Sequence, residues 1–508
     1  MNELRIGWAS RDVTTDKPIN IPGQFHMRIS KGVLDPLMVS TLVVDNGADL
    51  VIFLSVDCVV IRSGLLDEVR AGVRERNPEI PAEKILMNAT HTHTGASHYA
   101  DAGWASTHNN TSTALPGEVP RDGVEIASSD EYRHFLAGQA ADAICEAYEN
   151  RAPGGIAYGY GYAVVSHSRR VVYFDDLSKR PGAAKNSTHG LNGHAAMYGN
   201  TNDPNFSHYE AGADHFINLL YTFDVERRLT GAIVNVPCPS QNVETEYKLS
   251  ADFWHDVRVA VRERHGDIFL LPQAAAAGDL SPRILHYRQA QARRFKLKYG
   301  MEETEHAARK DIAERIAVAF DEVLDWARKD IKTVLPLSHV VDTVPLSRRL
   351  ITDEEYEYAR QGLEELNQRP FKTDGTPEER LHANSILVAS RNRFSRVMGR
   401  YETQDAEPTL PMELHVLRIG DVAFASNRFE LYMDFQHRMQ ARSPFEQTFI
   451  VQLAAQPGPD GGTYLCTERG AWGRGYSASM FCNLVSPQGG QELVEETVKR
   501  LNELHVGE

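Results

Sequence analysis

His91 and His93, two residues apart in Ala89-Thr90-His91-Thr92-His93-Thr94-Gly95, are the side chains in this 508-residue chain best suited to metal chemistry. They follow the apolar run Ile85-Leu86-Met87. Positions i and i+2 of an extended segment point to the same side, so both rings can reach one point in space. Neutral imidazole is the commonest protein ligand for zinc, and a His-x-His pair at a strand end holds a metal with few residues. A solvated polar loop uses the same residue types, so the rest of the chain has to decide between the two.

Four further clusters carry reactive groups. Asn235-Val236-Pro237-Cys238-Pro239-Ser240-Gln241 ends a buried strand, and the prolines on either side of Cys238 keep it out of a ladder. Cys238 is therefore placed either as a metal ligand or as a small buried hydrophobe. Ala277-Gly278-Asp279-Leu280-Ser281-Pro282 puts Ser281 at a glycine-bearing turn. There a serine binds substrate, acts as a nucleophile once activated, or simply serves the turn. Glu430, in Phe429-Glu430-Leu431-Tyr432, stands at a strand-to-helix junction, where a carboxylate completes a metal site or favours the helix N-terminus. Tyr464 lies in the glycine-rich Gly461-Gly462-Thr463-Tyr464-Leu465-Cys466-Thr467.

The elements that must position these groups alternate in type. Strands are expected at Leu4 to Ala9, Val39 to Asp45 and Leu50 to Val56, the last two joined at Asn46-Gly47 as a hairpin. Helical periodicity follows at 64–76 and 131–149. Buried strands are expected at Ile156 to Val165, Phe216 to Phe223, Gly231 to Val236 and Ile268 to Gln273, with a helix at 250–264 between the last two. Strands return at Glu413 to Ile419, Val422 to Ser426 and Phe449 to Leu453, before a final helix from about Glu492 to Leu504. This order predicts an α/β fold, a multilayer core of two mixed β-sheets covered by helices. Residues 302–333 and 353–400 are charged and amphipathic, and read as a solvated helical insertion within about 285–400 of a single domain. The turn in Leu417-Arg418-Ile419-Gly420-Asp421-Val422 echoes that in Val43-Val44-Asp45-Asn46-Gly47-Ala48, which suggests a duplicated core. Two long irregular segments, Ala100 to Ser129 and Asp175 to Asp214, are of a length that is usually functional or mobile. The second carries His189, His194 and His208, which suits a polar pocket.

Composition excludes several classes of function. A hydrophobic content of 42% supplies a large core, and 54 basic against 69 acidic residues give a charge of −15, which opposes binding to nucleic acid or anionic lipid. No run approaches the roughly 18 apolar residues of a membrane span, and no secretion signal precedes Leu4. The five cysteines are scattered without Cys-x-x-Cys spacing, as expected for a reducing, cytoplasmic protein.

Taken in order, the clusters resemble the catalytic domain of the neutral, or alkaline non-lysosomal, ceramidases. Thr90-His91-Thr92-His93-Thr94-Gly95 is similar to that family's Thr-His-Thr-His-Ser-Gly, and Gly278-Asp279-Leu280-Ser281-Pro282 to its Gly-Asp-x-Ser-Pro. Phe429-Glu430-Leu431 resembles its Gly-Glu-Phe or Gly-Glu-Leu segment, and Tyr464-Leu465-Cys466-Thr467 its Tyr-x-x-Thr. The resemblance implies a small-molecule amide hydrolase with one zinc ion. His91, Glu430 and Tyr464 would be ligands, Ser281 the active-site serine, His93 a neighbour acting on the carbonyl or oxyanion, and Arg169 of Ser168-Arg169-Arg170 a substrate contact. Where the family supplies its second histidine ligand from a His-Pro segment, this chain has Cys238-Pro239. A thiolate binds zinc at about 2.3 Å, so Cys238 is expected to replace that ligand, with His215 as the alternative. The chain also lacks the C-terminal β-domain of many ceramidases, which turns the expectation away from long-chain lipid. Two rivals remain: a metal-dependent enzyme acting on a small polar metabolite or sugar derivative, and a non-catalytic binding protein.

Overall fold

Three antiparallel strands, a helix and a fourth strand parallel to the third make up a pattern that the chain repeats three times in a computed structural model, which describes residues 3–103, 114–183, 193–302 and 304–506. The first unit is β1 (Arg5–Asp12), β2 (Met38–Asp45), β3 (Leu50–Val56), helix α1 (Leu65–Arg76) and β4 (Ile85–Ala89). After α2 (Ser129–Glu149) the second comprises β5 (Ala152–Tyr162), β6 (Phe216–Asp224), β7 (Leu229–Val236), α3 (Phe253–His265) and β8 (Phe269–Ala274). Helices α4 (Arg288–Tyr299) and α5 (Thr304–Ala327) lead to the third, β9 (Leu337–Ser347), α6 (Asp353–Asn367), α7 (Pro377–Thr403), β10 (Thr409–Ile419), β11 (Val422–Ser426), α8 (Met433–Arg442) and β12 (Gln447–Val451). Short α9 (Glu468–Gly473) and long α10 (Pro487–Val506) close the chain. The echo between the turns at Asn46-Gly47 and Gly420-Asp421 thus belongs to a threefold pattern, whose other member turns through 225–228.

Units one and two join edge to edge in an eight-stranded mixed sheet, ordered β8-β7-β6-β5-β1-β2-β3-β4, and the third is a separate four-stranded mixed sheet. The seam within the larger sheet is narrow, with only Arg5↔Pro153 and Ile6↔Ala152 in register. The smaller sheet packs across it. Leu42 and Phe53 of the first unit, Ile233 and Leu271 of the second and Phe424 and Phe449 of the third are fully buried in one cluster between the sheets. Phe424 lies 4.9 Å from Phe53 and 4.3 Å from Phe449, centroid to centroid. Helices α1 and α2 cover the outer face of one half of the large sheet, and α3 and α5 the other half. Helices α7, α8 and α10 cover the small sheet, completing a helix–sheet–sheet–helix stack.

The charged helices of 285–400 do not form one block. The edge strand β9 divides them, and α5 buries Ile312, Ile316, Phe320 and Val323 against the second unit. Nor is the segment 175–214 without structure where it is described: Ala195–Met197 and Phe206–Tyr209 both pair with Arg170–Tyr173. His189 lies outside the described residues. No helix among the described residues is long and apolar enough to cross a membrane, and all five cysteines are buried and unpaired.

Candidate active site

In each unit the loops that leave the third and fourth strands emerge at the same end of the sheet, opposite the hairpin turn. His91 and His93 follow β4, Cys238 and Gln241 follow β7, Ser281 follows β8, and Glu430 follows β11. These loops bring residues from distant parts of the sequence together. His91 is buried and holds a left-handed backbone, φ 65°, a conformation uncommon outside glycine and one that clusters at functional sites. Its Nδ1 donates to the Val59 carbonyl at 2.7 Å, which leaves Nε2 as the electron-pair donor. That Nε2 stands 3.4 Å from Glu430 Oε2 and 3.4 Å from His93 Nε2. His93 presents Nδ1 to Glu244 Oε2 at 3.2 Å. Gly23, with φ 110°, lies so close that a Cβ there would meet the His93 ring at 3.0 Å.

Glu430 is tied to Tyr464 twice: their short strands pair residue to residue, and the phenol hydrogen-bonds to the carboxylate. Burial alone would raise the Glu430 pKa, but His91, Arg169 and Tyr464 together outweigh it and hold the carboxyl at about 2. Arg169 donates from Nη2 to the Gly278 carbonyl at 2.9 Å and to the Tyr464 hydroxyl at 3.3 Å, and lies 3.8 Å from Glu430 Oε2. From Nη1 it reaches the hydroxyl of Tyr198 at 3.3 Å.

Ser281 joins the same network. Its Oγ faces three donors: Tyr198 Oη at 3.3 Å, Gln241 Nε2 at 3.4 Å and the Arg283 amide at 3.1 Å. A hydroxyl has two lone pairs, so this environment saturates Ser281 as an acceptor and leaves its own proton to be donated. None of these partners is a base, so the geometry is that of a hydroxyl donor rather than an activated nucleophile.

His91, His93, Arg169, Ser281, Glu430 and Tyr464 therefore meet, and Cys238 is turned elsewhere. Its thiol donates to the Val165 carbonyl at 3.3 Å, and burial, reinforced by Asp252, pushes its pKa well up, which disfavours the thiolate a metal needs. His215, with His167 and His286, lines a different cleft of about 500 Å³. Tyr198, Gln241 and Glu244 carry much of the geometry yet gave little signal, since Tyr198 sits in the Gly- and Asn-rich loop and the other two read as turn residues after Cys238-Pro239.

No three His, Cys, Asp or Glu side chains among the described residues surround a common point at metal-ligand spacing. The donor chemistry nonetheless fits a cation. With its Nδ1 bonded to the Val59 carbonyl, the Nε2 lone pair of His91 is left facing the Glu430 carboxylate and the His93 ring.

The stacked sheets and the loops at one end define a fold of the neutral ceramidase type. A neutral ceramidase from Pseudomonas aeruginosa superposes on 99% of this chain and 75% of its own, with a TM-score of 0.66 at 17% identity. A structure described as a ceramidase complexed with C2 matches with a TM-score of 0.64 at 16% identity, over 99% of this chain and 76% of that one. No protein-family model matches the sequence, and no characterised protein matches it by sequence search.

Proposed function

We propose that the chain is a zinc-dependent hydrolase that cleaves the amide bond of an N-acyl substrate. The observation that carries this reading is the meeting of His91, Glu430, Tyr464, Arg169 and Ser281 at one end of the three units. His91, Glu430 and Tyr464 are the residues that would hold the metal, with Cys238 as a fourth only if its thiol turns away from Val165. Bound there, zinc supplies a Lewis acid for the acyl oxygen and brings the pKa of water toward about 7. Arg169, fixed by the Gly278 carbonyl and two tyrosines, offers a guanidinium to the carbonyl oxygen as negative charge builds on it. Ser281 adds a hydroxyl donor, and Glu244 holds the His93 ring in its orientation.

The test is metal content together with turnover of an N-acyl panel that includes ceramide. The expected result is about one zinc per chain with hydrolysis of at least one amide, and a His91→Ala protein that has lost both. A His91→Ala protein that retains metal and turnover would exclude the assignment. A second reading, action on a small polar metabolite, draws on the cleft of about 470 Å³ beside Ser281. Tyr198, Asn242, Arg283, Arg288, Gln289 and Glu305 give it a polar rim. Glycosides and polar N-acyl compounds belong in the same panel.

A further inference from the structure

Arg428 precedes Glu430 by two residues and is only 3% exposed, yet its Nε and Nη2 have no hydrogen-bond acceptor among the described residues. A guanidinium keeps its charge and offers five donors in a planar fork, so burying donors without acceptors is costly and the fold returns nothing for it. The charges it faces are Asp460 and then Arg62. The pKa of Arg396, on α7, is brought to about 10 by burial and then by Arg62 and Arg393, against Glu118 and Asp460.

This cluster adjoins the candidate active site on two sides. Arg62 donates from Nε and Nη2 to the carbonyls of Gly461 and Gly462, both at 2.7 Å, on the segment that leads to Tyr464. Its guanidinium lies 5.6 Å from the ring of Tyr99, a buried phenol that also senses the charge of Glu430. On the other side, Arg393 sits 5.4 Å above Phe25, which meets Tyr476 edge-on, and Tyr476 in turn meets Tyr464.

We propose that these arginines form an anion subsite of the active site, in which Arg428, flanked by Arg62 and Arg396, takes the carboxylate or phosphate group of the substrate. Planar bidentate pairing with such an oxyanion supplies the acceptors that Nε and Nη2 lack. Calling the ligand a substrate rests on the amide-hydrolase reading; the binding of an anion does not. A neutral long-chain amide would leave Arg428 unmatched.

The experiment is calorimetric titration of the full chain, at constant chloride ionic strength, with inorganic phosphate, with N-acetylglycine and with the methyl ester of N-acetylglycine. Saturable binding of at least one anion is expected, with the ester about tenfold weaker or undetectable, and Arg428→Gln weakening the anion by about tenfold or more. The preference between phosphate and carboxylate identifies which group the substrate carries. Because the substitution removes an unmatched buried charge, Arg428→Gln is also expected to melt no lower than the parent in anion-free buffer. Absence of anion binding by the parent, equal binding by Arg428→Gln, or a variant that fails to fold because Arg428 is tied into the structure would each overturn the proposal. Anion binding without turnover of any amide would overturn the hydrolase reading alone, and turnover of neutral amides without anion binding would overturn the subsite alone.

Discussion

Ser281 illustrates how a motif and its surroundings divide the argument about function. Gly-Asp-x-Ser-Pro marks the residue, but the three donors around its Oγ and the absence of a base among them decide what it can do. Ser281→Ala is therefore expected to lower kcat by about 10²-fold, the usual effect of losing one donor to a developing oxyanion. Rapid-quench kinetics should show no burst of product; a burst equivalent to one acyl group per chain would make Ser281 a nucleophile instead. Asp279 beside it gives a separate handle on stability. Burial raises its carboxyl to about 7, helped by Glu210 and Asp434 and opposed by its bond from the Met433 amide. A folded pKa above the unfolded one means that the neutral acid favours the fold. The contribution of Asp279 is therefore complete below about pH 4 and is lost as the pH rises through 7, with a slope of at most about 1.4 kcal/mol per unit. Asp279→Asn removes that slope, and the difference between denaturant midpoints of parent and variant should widen in favour of the variant from pH 4 to pH 7. A constant difference would place Asp279 among ordinary carboxylates.

The elements were legible in proportion to how completely they are buried. Leu50–Val56 and Val422–Ser426 lie at the centre of the fold, and their apolar runs mark their ends to the residue. Strand β9 was not read at all, because it is a half-exposed edge strand that carries Asp342 and Pro345, and only an edge tolerates such a proline. The site was legible where a motif names a side chain, as with His91, His93 and Glu430, and illegible where a loop delivers one, as with Tyr198. Between these elements some contacts admit no added atom. A Cβ on Gly278 would fall 2.3 Å from the Glu430 carbonyl oxygen, and Gly278 also donates its amide to Leu431. Gly278→Ala must push apart the segments bearing Ser281 and Glu430, and is expected to cost about 1–3 kcal/mol as well as most of the activity. Retention of the parental melting temperature and kcat would show that the two segments can separate freely.

At the scale of the whole molecule, the third unit staples the other two. Their direct pairing spans two residue pairs, whereas the inter-sheet cluster draws on all three units. Phe424→Ala, at the centre of that cluster, is expected to cost about 3–5 kcal/mol and to do so in one cooperative transition that includes the large sheet. A biphasic melt with one phase unshifted would mean that the halves of the large sheet hold together without the staple.

The threefold pattern also gives the molecule two unlike poles. The residues of the candidate site leave from the ends of first, third and fourth strands, Arg169 and Tyr198 following β5, while the turns at Gly47-Ala48 and Val225-Glu226-Arg227-Arg228 are exposed at the far end. A fluorophore, a surface tether or a fused partner attached at Arg227 would therefore hang behind the reactive face and leave its approach clear. Chains fixed to a support through that turn would all present the histidine pair outward.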